Sequence, residues 1–67
     1  MYNNIPIFIR LHHNKTELMV NVQTINRIEK FNDEVTYVYL NHCFDPLRVN
    51  DTYEEIKKKL QNVAWTI

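Results

Sequence analysis

From Ile7 to Leu11 apolar and polar side chains alternate, with Ile7, Ile9 and Leu11 on one face and Phe8 and Arg10 on the other, the period of a half-buried strand. His12-His13-Asn14-Lys15 ends the run, and Glu17-Leu18-Met19-Val20 reads as the returning strand of a hairpin with Leu18 and Val20 inward. Pro6 stands at the entry, where an edge strand tolerates it. Val22, Ile25 and Ile28 then recur at every third position, which suits neither a clean strand nor a long helix. One helical turn capped by Asn21 fits this stretch, followed by a strand from about Arg27 to Lys30. The chain turns through Asn32-Asp33 and runs as its strongest strand, Val35 to Leu40, dense in β-branched and aromatic residues. Asn41-His42 reverses it, and Phe44 to Val49 pairs back with Leu47 and Val49 inward and Pro46 at an edge or bulge.

The last segment predicts a helix. Thr52-Tyr53-Glu54-Glu55 has the spacing of a capping box, in which a hydroxyl reaches the N3 amide and a glutamate reaches back, with Asp51 as a rival cap. Tyr53, Ile56, Leu60 and Val63 fall on one face, and Glu54/Lys58 and Glu55/Lys59 are spaced for i,i+4 pairs on the wet side. Trp65 and Ile67 follow the helix, placed either to cover the open end of the core or to contact another chain. The fold class expected is α+β: a small, mainly antiparallel sheet of four to five strands with one C-terminal helix packed on it. Residues 1–67 form a single domain, strand-rich over 7–49 and helical over 52–63.

Composition adds three constraints. At 67 residues the chain buries a small fraction of its surface, so oligomerisation is the expected source of extra stability. Cys43 is the only cysteine, which rules out an internal disulfide and suits a reducing, cytoplasmic setting. Eight basic and eight acidic side chains balance, so no overall field steers the protein to nucleic acid or an anionic membrane. The apolar run Ile5 to Ile9 is cut by Arg10, too short to insert in a membrane. Glycine is absent, while asparagine recurs at Asn14, Asn21, Asn32, Asn41 and Asn50, between the apolar stretches. Asparagine tolerates positive φ better than other non-glycine residues, so these positions are expected to build the turns.

Ile9-Arg10-Leu11, Val20-Asn21 followed by Ile25 and Ile28-Glu29, Asp33-Glu34-Val35 leading to Tyr39-Leu40-Asn41, and Val49-Asn50-Asp51-Thr52-Tyr53-Glu54-Glu55-Ile56 together form a pattern over about Ile7 to Leu60. On these residues the chain resembles the FlbD-like family of very small proteins associated with flagella and swarming, with relatives in phages and mobile elements. Members typically place Asn-Gly at both hairpins, where this chain has His13-Asn14 and Asn41-His42. The shared positions are mostly core and capping residues, so they carry fold rather than activity. The resemblance implies a non-enzymatic role through protein contacts and transfers no catalytic residue.

Candidate chemistry is sparse. His12, His13, His42 and Cys43 are the only residues with a zinc-like donor set, and in a simple meander the two turns that carry them lie at opposite ends of the sheet. Cys43 and His42 are adjacent on an extended chain and point apart, so Cys43 is expected as a buried structural thiol. The carboxylates are explained by capping and solvation, no phosphate loop is possible without glycine, and neither a catalytic residue, a metal site nor a cofactor is assigned. An exposed aromatic and basic surface is the one remaining signal: Phe8, Arg10, Tyr37, Tyr39 and Trp65 are the candidate interface or ligand residues. The leading expectation is a self-associating protein-protein interaction module acting on a larger assembly through an unidentified protein partner. The alternative is a phage or mobile-element accessory protein binding nucleic acid or a small anionic nucleotide, with Arg10, Arg27 or Arg48 pairing the anion.

Overall fold

The computed structural model describes residues 6–63. Strands β1 (Phe8–His13) and β2 (Thr16–Asn21) form an antiparallel hairpin. A single 3₁₀ turn, Val22–Thr24, leads into β3 (Ile25–Lys30), β4 (Thr36–Leu40) and β5 (Leu47–Val49), an antiparallel sheet in that order. Helix α1 (Tyr53–Asn62) closes the structure. The architecture is therefore α+β, with the five strands divided between two sheets around one core.

That core follows the alternation read from the sequence. Ile9 and Leu11 of β1, Val20 of β2, Val38 of β4 and Val49 of β5 are buried together with Ile56 and Leu60 of the helix. Each such side chain contributes on the order of 1.5–3 kcal/mol by leaving water. Ile7 departs from the pattern: it precedes β1 and stays 41% exposed, its carbonyl accepting the Val22 N–H at 2.8 Å. The every-third spacing of Val22, Ile25 and Ile28 has two causes. The 3₁₀ turn carries the chain from Val22 to Ile25, with the Asn21 side chain accepting the Gln23 N–H as foreseen. A register shift between Ile25 and Arg27 then inserts one extra residue opposite β4, so Ile25 and Ile28 both face the core.

The turns correct the expectation about asparagine in part. Asn14 does adopt positive φ, 56°, but in the second reversal the positive φ of 67° belongs to His42. Both are the second residues of the pairs His13-Asn14 and Asn41-His42, where a glycine would carry the least strain. The other asparagines act through their side chains. Asn32 Oδ1 accepts the N–H groups of Glu34 and Val35, each at 2.8 Å, and Asn50 Oδ1 accepts the Asn14 N–H.

The hairpin, the three-stranded sheet and the helix meet at one corner. Asn50 N–H donates to the His12 carbonyl at 2.7 Å, and His13 Nδ1–H donates to the Arg48 carbonyl at 2.7 Å. Asp51 is only 6% exposed, and its carboxylate accepts the His12 backbone N–H at 2.6 Å and the His12 Nδ1–H at 3.0 Å. Its carbonyl accepts the fully buried Thr36 hydroxyl at 2.9 Å. Lys59 Nζ lies 3.7 Å from the same carboxylate and donates to the Arg10 carbonyl at 2.6 Å. Asp51 is thus not the helix cap. Thr52 caps: its hydroxyl accepts the Glu55 N–H at 3.1 Å, and Glu55 accepts the Thr52 N–H at 3.0 Å, closing the capping box. The expected Glu55/Lys59 pair is displaced accordingly, since Glu55 turns back to its cap and Lys59 turns to the corner.

Two outcomes test this arrangement. Asp51→Ala strands the His12 N–H and removes the carboxylate's ties to β1 and to Lys59 of the helix while keeping the carbonyl that accepts the Thr36 hydroxyl, and it lowers unfolding free energy by about 2–4 kcal/mol in urea titrations, whereas Thr36→Val costs about 1 kcal/mol. A loss for Asp51→Ala no larger than for Thr36→Val would contradict the corner's role. The hydrogen bonds from the Thr52 backbone and hydroxyl hold the Glu55 carboxyl below the usual carboxylate range. A lowered folded-state pKa contributes stability that is present above the ordinary glutamate range and is lost as pH falls through the lowered value. Glu55→Gln therefore flattens the acid limb of the stability-pH profile, and an unchanged limb would contradict the assignment.

Candidate functional site

The candidate surface is the outward face of β3-β4-β5, and the bulge in β3 creates it. In an unbroken strand Arg27 would share the inward face of Ile25. The extra residue at Asn26 reverses it, so Arg27 stands opposite Tyr39, Glu29 opposite Tyr37, and Tyr37 opposite Arg48. The inward residues of the same strands, Ile28, Val38 and Leu47, face the core.

Three outward side chains form a closed group. The Arg27 guanidinium lies over the Tyr39 ring, 3.9 Å from its centroid, while Arg27 Nε donates to Glu29 at 2.8 Å and the Tyr39 hydroxyl donates to Glu29 at 3.2 Å. The hydrogen bond to Glu29 raises the Arg27 pKa further, and the Arg27 hydrogen bond followed by that from Tyr39 lowers the Glu29 pKa. Next to this group the Tyr37 ring packs against Phe31 with centroids 5.2 Å apart at a tilt of 43°. Phe31 remains 58% exposed, so the aromatic pair faces water. No element among the described residues covers this face.

At one end of the sheet the β4-β5 connection, residues 41–46, stands out from the body. Its first turn is closed by the Cys43 N–H donating to the Leu40 carbonyl at 3.3 Å, and Asn41 ties it to the start of β3 through Thr24 and Asn26. Phe44 projects fully into solvent. Beside it lies an open hollow of about 360 Å³, walled by Asn26, Arg27 and Tyr39 on the sheet side and by residues 41–44 on the loop side. A smaller hollow of about 260 Å³ adjoins it at His42, Cys43 and Phe44.

The candidate residues from the sequence divide between two surfaces. Tyr37 and Tyr39 belong to the face just described. Phe8 and Arg10 are on the outer face of the β1-β2 hairpin, where Phe8 is 49% exposed and Arg10 pairs with Glu17 at 3.2 Å. Trp65 lies outside the described residues. His12 and His13 are engaged at the Asp51 corner, while His42 and Cys43 stand in the β4-β5 connection, and the described residues contain no group of three or more side chains placed to hold a metal ion. Cys43 is exposed, which corrects the expectation of a buried thiol: the strand predicted from Phe44 begins only at Leu47, so Cys43 belongs to a projecting turn. Sequence reading missed Glu29, Phe31 and Phe44. The first two share the period-2 alternation of Arg27, Glu29 and Phe31, but a strand read only from about Arg27 to Lys30 stops short of Phe31 and does not show which face turns outward.

Exposure of Cys43 has a direct consequence. At a protein concentration low enough to keep the chain monomeric, a thiol-disulfide reagent should modify the folded protein at a rate within a few-fold of the urea-unfolded chain, read by absorbance at matched pH, because exposure governs access to the thiolate. Protection by orders of magnitude would restore the buried-thiol reading.

No helix among the described residues is long and apolar enough to cross a membrane. No family model matches this chain, and it has no match among the curated proteins or the solved structures.

Proposed function

We propose that this protein is a non-enzymatic interaction module of the cytoplasm that self-associates and engages a larger protein assembly through the open face of β3-β4-β5. The observation that carries this reading is the uncovered group of Arg27, Glu29 and Tyr39 beside the Phe31–Tyr37 pair. Arginine, tyrosine and phenylalanine are the residue types enriched in the buried centres of protein interfaces. Here they are already ordered against one another, so docking immobilises few free rotamers. The size of the domain supports the same reading, because a core this small supplies about 3–5 kcal/mol and gains from a second copy's surface. An interaction role is also what the resemblance to the FlbD-like proteins implies.

Binding of a nucleotide or nucleic acid is the weaker reading. Of the arginines that could pair a phosphate, Arg48 stands exposed opposite Tyr37, while Glu29 holds the Nε of Arg27 and puts a carboxylate on the same face. Arg10 is likewise paired with Glu17.

Sedimentation across about 1 to 200 µM should show the apparent mass rising above that of the monomer, with a thermal midpoint that increases with protein concentration, as mass action requires. A monomer throughout, with a concentration-independent midpoint, would contradict self-association. Titration with a nucleotide panel and single-stranded nucleic acid at low salt should show no saturable binding.

A further inference from the structure

Phe44 and the hollow beside it have no structural task in the fold described above. A phenylalanine held fully in water forgoes roughly 2–3 kcal/mol of burial, and the 41–46 connection projects it without any covering element among the described residues. We infer that the 360 Å³ hollow receives Phe44 from a second copy of this chain, in a two-fold exchange where each protomer donates one ring and accepts the other. This rests on the self-association proposed above and names the contact that produces it.

Two features select a second copy as the occupant. Ring and receptor lie side by side on one connection, so a two-fold axis satisfies both contacts at once; self-complementarity of this kind defines an isologous interface. The hollow is lined more by polar than by apolar groups, with Leu40 and the Tyr39 ring, over which Arg27 already lies, as the apolar part that an incoming aromatic side chain meets.

Charge supplies the second feature. Asp45, directly after Phe44, is exposed and forms no ion pair among the described residues. The receiving wall carries Arg27, which Glu29 engages through Nε, and His42. Seating the partner's Phe44 brings the partner's Asp45 to the Arg27 guanidinium, of which Glu29 holds only Nε, and the same pairing recurs across the axis. The exchange also fixes the thiols. Cys43 lines the hollow that receives the partner's Phe44, and the partner's Cys43 directly precedes that ring, so the two thiols lie within the span of a bis-maleimide.

The experiment is sedimentation of the wild type and three variants, with folding checked by circular dichroism. Phe44→Ala removes an exposed side chain, leaves the fold intact and weakens dimerisation at least tenfold. Asp45→Arg and Arg27→Asp each sediment as monomers alone because like charges then meet across the axis. An equimolar mixture of these two variants restores a dimer, since arginine faces aspartate at both contacts, an outcome only a contact between chains produces. A short bis-maleimide traps the wild type, but not Phe44→Ala, as a Cys43-linked dimer. A wild-type dimer undiminished by Phe44→Ala, or monomeric charge variants that fail to rescue each other, overturns the exchange and leaves self-association through another surface standing. A wild type that never dimerises overturns both.

Discussion

The fold depends on one buried carboxylate. Asp51 sits between the last strand and the helix, where its carboxylate accepts both the backbone and the ring N–H of His12 and its carbonyl accepts the Thr36 hydroxyl. A charge at 6% exposure is tolerated only when its oxygens are satisfied, and here the His12 backbone and ring N–H groups donate to the carboxylate with Lys59 Nζ 3.7 Å away, while Thr36 ties the main-chain carbonyl. The hairpin is held through His12, the sheet through Thr36 and the helix through Lys59. A small domain has few apolar contacts to specify how its layers meet. Directional hydrogen bonds at a single corner make that specification where area alone does not.

This concentration of structural work at one corner leaves another surface free. On the β3-β4-β5 face Arg27, Glu29 and Tyr39 bind one another, and Phe31 packs on Tyr37. The bulge at Asn26 connects the two regions. It turns Ile25 and Ile28 to the core and Arg27 to the Tyr39 ring with the same extra residue, so the inner packing and the outer cation-aromatic pair share one cause. The β4-β5 connection then carries the surface past the sheet edge and ends in Phe44.

Much of this was legible in the sequence because it is local. The period-2 run of β1, the inward pair Leu18 and Val20, the Asn21 cap, the inward Leu47 and Val49, and the Thr52-Glu55 box each depend on neighbours a few residues away. What the sequence hid is long-range. Asp51 looks like a helix cap by position and becomes a clasp because His12, 39 residues earlier, arrives beside it. Lys59 looks like a partner for Glu55 until the Arg10 carbonyl appears next to it. The candidate face was half visible: tyrosines at 37 and 39 alternate plainly, but Arg27, Glu29 and Phe31 join them only once the bulge sets the register. Phe8 and Arg10 share their chemistry and not their sheet. Cys43 was misread because Phe44 seemed to begin a strand that starts three residues later.

The central claim is a division of labour, in which the Asp51 corner holds the fold and the face from Arg27 to Phe44 is proposed to meet a second copy. Backbone amide chemical shifts measured over a concentration series test it most directly, since every residue reports in one experiment. The account predicts progressive shifts at Arg27, Tyr39 and His42 through Asp45, with the His12, Asp51 and Leu60 amides unmoved. Spectra that do not change with concentration, or shifts centred on the hairpin's outer face at Phe8 and Met19, would contradict it.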